Sequence, residues 1–159
     1  MNQHYTSKTY ARLEEQIEEA QAAYDAAMLS MGSDAADGNN TWHDNPAFEE
    51  AKNRVDQTRN EVARLKRLRD DAVVVETVHS GSVEVGSTVT IQIGDDTPFK
   101  VFVGGHYVPR GGSTDEVTEV STSSPIGAAI LGHIPGDIID YSTPSGGRKQ
   151  VTVIDVELE

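Results

Sequence analysis

The sequence predicts an α+β protein in two parts. An N-terminal antiparallel helical hairpin, a coiled coil folded back on itself, occupies residues 1–74, and a small strand-rich domain with one helix occupies 75–159. Three observations predict this. Apolar residues recur at heptad spacing in two stretches on either side of DGNNTWHDNP at 37–46. From Val73 onward the pattern changes to short β-branched runs punctuated by glycine. Among those runs, a Ser-Pro pair opens one short apolar helix.

The first seam is Tyr10, Leu13, Ile17, Ala20, Tyr24, Ala27 and Met31, spaced alternately by three and four. It resumes as Phe48, Ala51, Val55, Thr58, Val62, Leu65 and Leu68, with Thr58 its one polar lapse. In an antiparallel hairpin, facing residues have numbers of constant sum. Met31 with Phe48, Tyr24 with Val55 and Ile17 with Val62 sum to 79; Tyr10 with Leu68, Leu13 with Leu65 and Ala27 with Ala51 sum to 78. The two seams therefore face each other, and the far end falls near Asn39 and Asn40. At ~1.5 Å per residue, helices of about 25 residues reach on the order of 40 Å.

Gly32 and Ser33 are expected to end the first helix, giving a tip loop near 32–47. Asp44 or Asn45 can cap the second helix, with Pro46 at its first position. On spacing alone Asp44 is an N-cap, whose loss costs roughly 1 kcal/mol. Asp34 and Asp37 read as solvated loop residues, and Trp42 as a small packing anchor.

The chain carries 13 basic and 26 acidic residues, a net charge of -13, and no cysteine. Affinity for duplex nucleic acid comes mainly from phosphate neutralisation by Lys and Arg, so general duplex binding is excluded as a function class. Without cysteine there are no disulfides or thiolate zinc sites. The opening residues lack a signal-peptide pattern and no stretch approaches a membrane span, so a soluble, cytoplasmic protein with no membrane partner is expected. Lys52, Arg54 and Arg59 are expected along the second helix, with Arg64, Lys66, Arg67 and Arg69 nearer its base. They read as a solvated face paired across the hairpin with Glu14, Glu15, Glu18 and Glu19. Contact with single-stranded RNA through Lys52, Arg54 and Arg59 is the alternative.

In the second part, VVVETV, STVTIQI, PFKVFVGG, IIDY and KQVTVIDVEL read as about five or six strands. Ser145, Gly146 and Gly147 supply turn chemistry between the last two. Ser124 and Pro125 make an N-cap and first position for IGAAILG, a helix ending at Gly132. His79, His106 and His133 are too scattered for a metal set. GGHYVPRGG at 104–112 lacks the helix and Lys-Ser/Thr that a phosphate-cradling loop requires. No residue pattern marks an enzyme centre.

The hairpin, followed by VGSTVTI at 85–91, FVGG at 102–105 and SSPIGAAILGHIPGDIIDYSTPSGG, resembles the GreA/GreB family of bacterial transcript-cleavage factors over essentially the whole chain. The resemblance implies an FKBP-like strand domain that docks on RNA polymerase, with Ser124, Pro125 and Ile126 at the contact. It further implies a coiled coil entering the polymerase secondary channel and carrying tip carboxylates to the active-site Mg²⁺, near the RNA 3′ end. Such a factor has no cofactor and no autonomous catalysis of its own, because the polymerase does the cutting, and the paired seams lead to the expectation of a monomer. Two-metal hydrolysis needs anionic oxygens around the weaker ion, which explains why a carboxylate tip assists. Nucleoside diphosphate kinase regulators share the second domain but have a shortened hairpin; the full seam here favours the longer type.

At the tip the match is partial. The family pattern, roughly Gly-Asp-Leu-x-Glu-Asn-x-x-Tyr, corresponds here to NTWHDNPAF. Asn45 matches, Asp44 replaces the Glu, Phe48 replaces the Tyr, and Thr41 stands where the family has Asp. A neutral hydroxyl is a weaker ligand than a carboxylate. Three readings follow. The first is an occluding, inhibitory factor whose Trp42 or His43 contacts the polymerase or the nucleotide entry path. In the second, a cleavage-stimulating factor, Asp37 or Asp34 joins Asp44 in holding the metal. The third is a structural coiled-coil module unrelated to transcription.

Overall fold

The computed structural model describes residues 2–37, 46–78 and 80–158. Two compact units divide the chain: Leu13–Asp70, and Met1–Arg12 together with Asp71–Glu159.

The helical unit is built from α1 (Ser7–Asp37), whose first turns belong to the other unit, and α2 (Pro46–Asp70). Heptad spacing places one stripe of each helix inward, and the burial follows it. Leu13, Ile17, Ala27, Ala51, Val55, Val62 and Leu65 are buried, while Ala20, Tyr24, Met31, Phe48, Thr58 and Leu68 are half-buried. The polar lapse at Thr58 is satisfied locally, because its hydroxyl donates to the Arg54 and Val55 carbonyls at 2.9 and 3.0 Å. The Lys66 ammonium donates to Gln21 Oε1 at 3.4 Å, linking the helices beside the seam. Proline at the first helical position loses no hydrogen bond, and α2 begins there.

One boundary differs from expectation. Gly32 and Ser33 do not end α1, which runs on to Asp37, so the backbone of Asp34 and Asp37 is helical rather than loop. Glycine within a helix costs only about 1 kcal/mol relative to alanine. Gly32 is not among the positive-φ glycines, and Ala35 and Ala36 favour continuation beyond it.

The second unit is a seven-stranded mixed sheet in the order β2-β1-β4-β3-β7-β6, with β5 pairing β4 off that path. Its strands are β1 (Gln3–Tyr5), β2 (Ala72–Val74), β3 (Ser87–Ile93), β4 (Phe99–Gly105), β5 (Val117–Ser121), β6 (Ile138–Ser142) and β7 (Arg148–Leu158). β3 pairs antiparallel with β4 and β7, and β6 with β7. β1 runs parallel to β2, and β5 parallel to β4. Strand periodicity explains the core: Val89, Ile91, Val101, Val103, Val151 and Val153 alternate inward and pack with Val83 and with Ile130 of α3 (Pro125–Ile130).

Five or six strands were expected and seven form. The additions are β1 and β5, of three and five residues. Gln3-His4-Tyr5 offers no apolar alternation and its pairing partners lie far along the chain, while β5 pairs parallel to the strand just before it, which a hairpin pattern does not signal. VVVETV is extended only in part, since β2 covers Ala72–Val74.

Candidate docking groove and hairpin

The Ser-Pro pair folds as its residues dictate. Ser124 is extended at φ -73° and ψ 154°, and its Oγ accepts the Gly127 N–H at 3.1 Å while donating to the Ser121 carbonyl at 2.7 Å. Pro125 occupies the first turn of α3, where its missing N–H is not needed. This cap leaves Ser124 and Ile126 half-buried and Pro125 exposed.

All three line a groove of about 540 Å³ with Tyr107, Val108, Val120, Tyr141 and Pro144. The structure thus joins the sequence-selected Ser124, Pro125 and Ile126 to a mostly apolar surface. Reading strand and turn patterns alone missed the other walls. Tyr107 and Val108 lie in the glycine-flanked stretch GGHYVPRGG, which has no strand or helix periodicity, and Tyr141 carries only a strand signal. Ser121 and Ser124 place hydroxyl groups at this otherwise apolar lining.

The basic residues of α2 are arranged otherwise than expected. Arg54 pairs with Glu50, Arg59 with Asp56, Arg64 with Glu61 and Arg69 with Asp70, all within α2. None of these pairs reaches across to Glu14, Glu15, Glu18 or Glu19 as expected: for Arg54, Arg59 and Arg64 a three- or four-residue step along one helix already juxtaposes the charges, and Arg69 pairs with its chain neighbour. Lys52, Arg54 and Arg59 are exposed. Thr41, Trp42, His43, Asp44 and Asn45 lie outside the described residues, as does His79.

His133 and Asp137 have a structural task. Nδ1 of His133 lies 2.9 Å from Asp137 Oδ2, which also accepts the Ile134 N–H at 3.1 Å. That backbone donor, helped by His133, holds the Asp137 carboxyl below its usual range. Among the described residues, no group of three or more His, Asp or Glu side chains is arranged to hold a metal, and no helix is long and apolar enough to cross a membrane.

The chain thus combines two parts, a helical hairpin and a mixed sheet that carries an apolar groove. The family model described as transcription elongation factor, GreA/GreB, C-terminal, matches residues 78–158. The chain belongs to the GreA/GreB family. It is 37% identical over 101 residues to transcription elongation factor GreA of Rickettsia canadensis, covering 59% of each chain. To GreA of Streptococcus gordonii it is 31% identical over 116 residues, covering 72% of this chain and 70% of that one. GreA 1 of Lactiplantibacillus plantarum is 24% identical over 152 residues, at 96% and 94% coverage. Among solved structures, GreA factor homolog 1 of Thermus thermophilus covers 99% of both chains at 24% identity and a TM-score of 0.45.

Proposed function

We propose that this chain is an RNA polymerase-binding regulator of transcript elongation that docks through its strand unit and inserts the hairpin into the secondary channel as an occluding, inhibitory factor. The strand unit, read as FKBP-like, presents the groove around Ser124, Pro125 and Ile126 to the polymerase. The hairpin tip, with Asp34, Asp37, Thr41, Trp42, His43, Asp44 and Asn45, approaches the active centre and its Mg²⁺. Lys52, Arg54 and Arg59 face the RNA near its 3′ end. The factor works in the cytoplasm as a monomer, with no cofactor and no catalysis of its own.

The observation that carries the inhibitory reading is Thr41, which places a neutral hydroxyl where the family pattern has a carboxylate. Of the two positions where the family pattern has carboxylates, only Asp44 keeps one, and one such ligand holds a second Mg²⁺ weakly. The cleavage-stimulating alternative, in which Asp37 or Asp34 joins Asp44 as a metal ligand, draws on the helical backbone of α1 reaching Asp34 and Asp37.

Elongation on a pausing template distinguishes the readings. The expected result is slowed synthesis without transcript cleavage, and Thr41→Asp is expected to introduce cleavage. Cleavage by the parent protein that Asp44→Ala abolishes would overturn the inhibitory reading in favour of the alternative.

A further inference from the structure

Arg12 sits in the first turns of α1, inside the same compact unit as the sheet. Its Nη1 donates to the Pro109 carbonyl at 3.2 Å, and its Nη2 forms an ion pair with Glu119 Oε1. The Thr9 hydroxyl donates to the same carboxylate oxygen at 3.3 Å. The Glu119 side chain is 2% exposed and that of Arg12 17%.

One acceptor lines the docking groove and the other adjoins its wall in the chain. Pro109 directly follows Tyr107 and Val108, and Glu119 directly precedes Val120 and itself lines the groove. β4 is the strand partner of β5, so the side-chain tether at Glu119 adds a second constraint on that wall. We infer that Arg12 is a positioning residue for the groove: one planar guanidinium, reaching from behind, sets the spacing between the Tyr107–Val108 wall and the Val120 wall. The inference rests on the docking reading above.

Two further features fit a geometric role. Arg12 Nε and Glu119 Oε2 are buried without a hydrogen-bond partner. A buried ion pair with unsatisfied atoms is a poor source of stability, and holding a particular arrangement is the role left to it. In addition, a Cβ on Gly112 would lie 1.3 Å from Glu119 Oε2 and 2.0 Å from Arg12 Nη1. The loop approaches the pair as closely as a residue without a side chain permits.

Lysine at position 12 keeps the charge facing Glu119 but has no fork with which to hold two acceptors at a fixed separation. The test measures binding of the full chain to purified bacterial RNA polymerase, with melting temperature recorded alongside. Arg12→Lys is expected to weaken binding about tenfold while leaving the melting temperature within a few degrees. Replacing the whole pair, Arg12→Met with Glu119→Met, is expected to give a similar loss in a folded protein, because apolar substitutes for a buried pair are tolerated. Should that double variant fail to fold, Arg12→Lys alone decides. Combined with Ile126→Ala, Arg12→Lys is expected to lose less than the sum of the two single effects, since both act on one surface.

Parental affinity in Arg12→Lys, or losses strictly additive with Ile126→Ala, would overturn the positioning role. Ile126→Asp separates the two levels. If it abolishes binding while Arg12→Lys binds normally, the groove docks and Arg12 does not shape it. If Ile126→Asp binds as the parent does, the docking reading fails and this inference fails with it.

Discussion

Tyr5 shows how one side chain can report on the sheet. It is fully buried in β1, with its hydroxyl donating to Gln3 Oε1 at 3.3 Å. Burial, with the nearby Tyr107 adding to it, pushes the phenol up to about 12. An unfolded tyrosine ionises near ~10. Below that pH both states keep the proton and stability is unaffected. Between ~10 and about 12 the unfolded chain releases its proton first, so stability falls as pH rises through that window. Alkaline unfolding followed by circular dichroism is expected to show this fall, and Tyr5→Phe is expected to flatten it. Neither the burial nor the shift is legible in Gln3-His4-Tyr5, because both come from contacts with distant segments.

At the scale of an element, α3 is the clearest case of local chemistry fixing structure. Its cap, its proline and its apolar run were all readable, and the helix starts where they place it. What the sequence does not reveal is why Gly127 is glycine. A Cβ there would lie 1.9 Å from the Ser121 carbonyl oxygen, which is backbone and cannot rotate away. Gly127→Ala is therefore expected to destabilise the strand unit by about 1–3 kcal/mol. Ser124→Ala, which removes only the cap, is expected to lose about 1 kcal/mol. Urea titration of the two variants tests that order. The helices of the hairpin teach a related lesson. The apolar seam was legible because it is periodic, whereas the end of α1 was misplaced because one glycine is a weak stop signal. Ion pairs along α2 followed sequence proximity rather than the opposing charge of α1.

For the whole molecule, the two seams carry a consequence for assembly. Each helix supplies buried residues to the helical unit, from Leu13, Ile17 and Ala27 on one side and Ala51, Val55, Val62 and Leu65 on the other. An apolar stripe already covered within one chain has little left to gain from a second copy. Sedimentation equilibrium is expected to return the 17.2 kDa mass at all concentrations. A mass that doubles with concentration would show the seam shared between chains, as the structural-module reading requires.

The sequence by itself determined which stripe of each hairpin helix is buried, the main strands and the cap of α3, because each depends on residue type at short, regular intervals. Tertiary structure alone decided that Gln3–Tyr5 joins the sheet, that β5 lies parallel to β4, and that Tyr107, Val120, Ile126 and Tyr141 share one groove. Periodicity records which face of an element avoids water. It holds no record of the neighbour that covers that face, since the partner is chosen by summed contacts between residues a hundred positions apart.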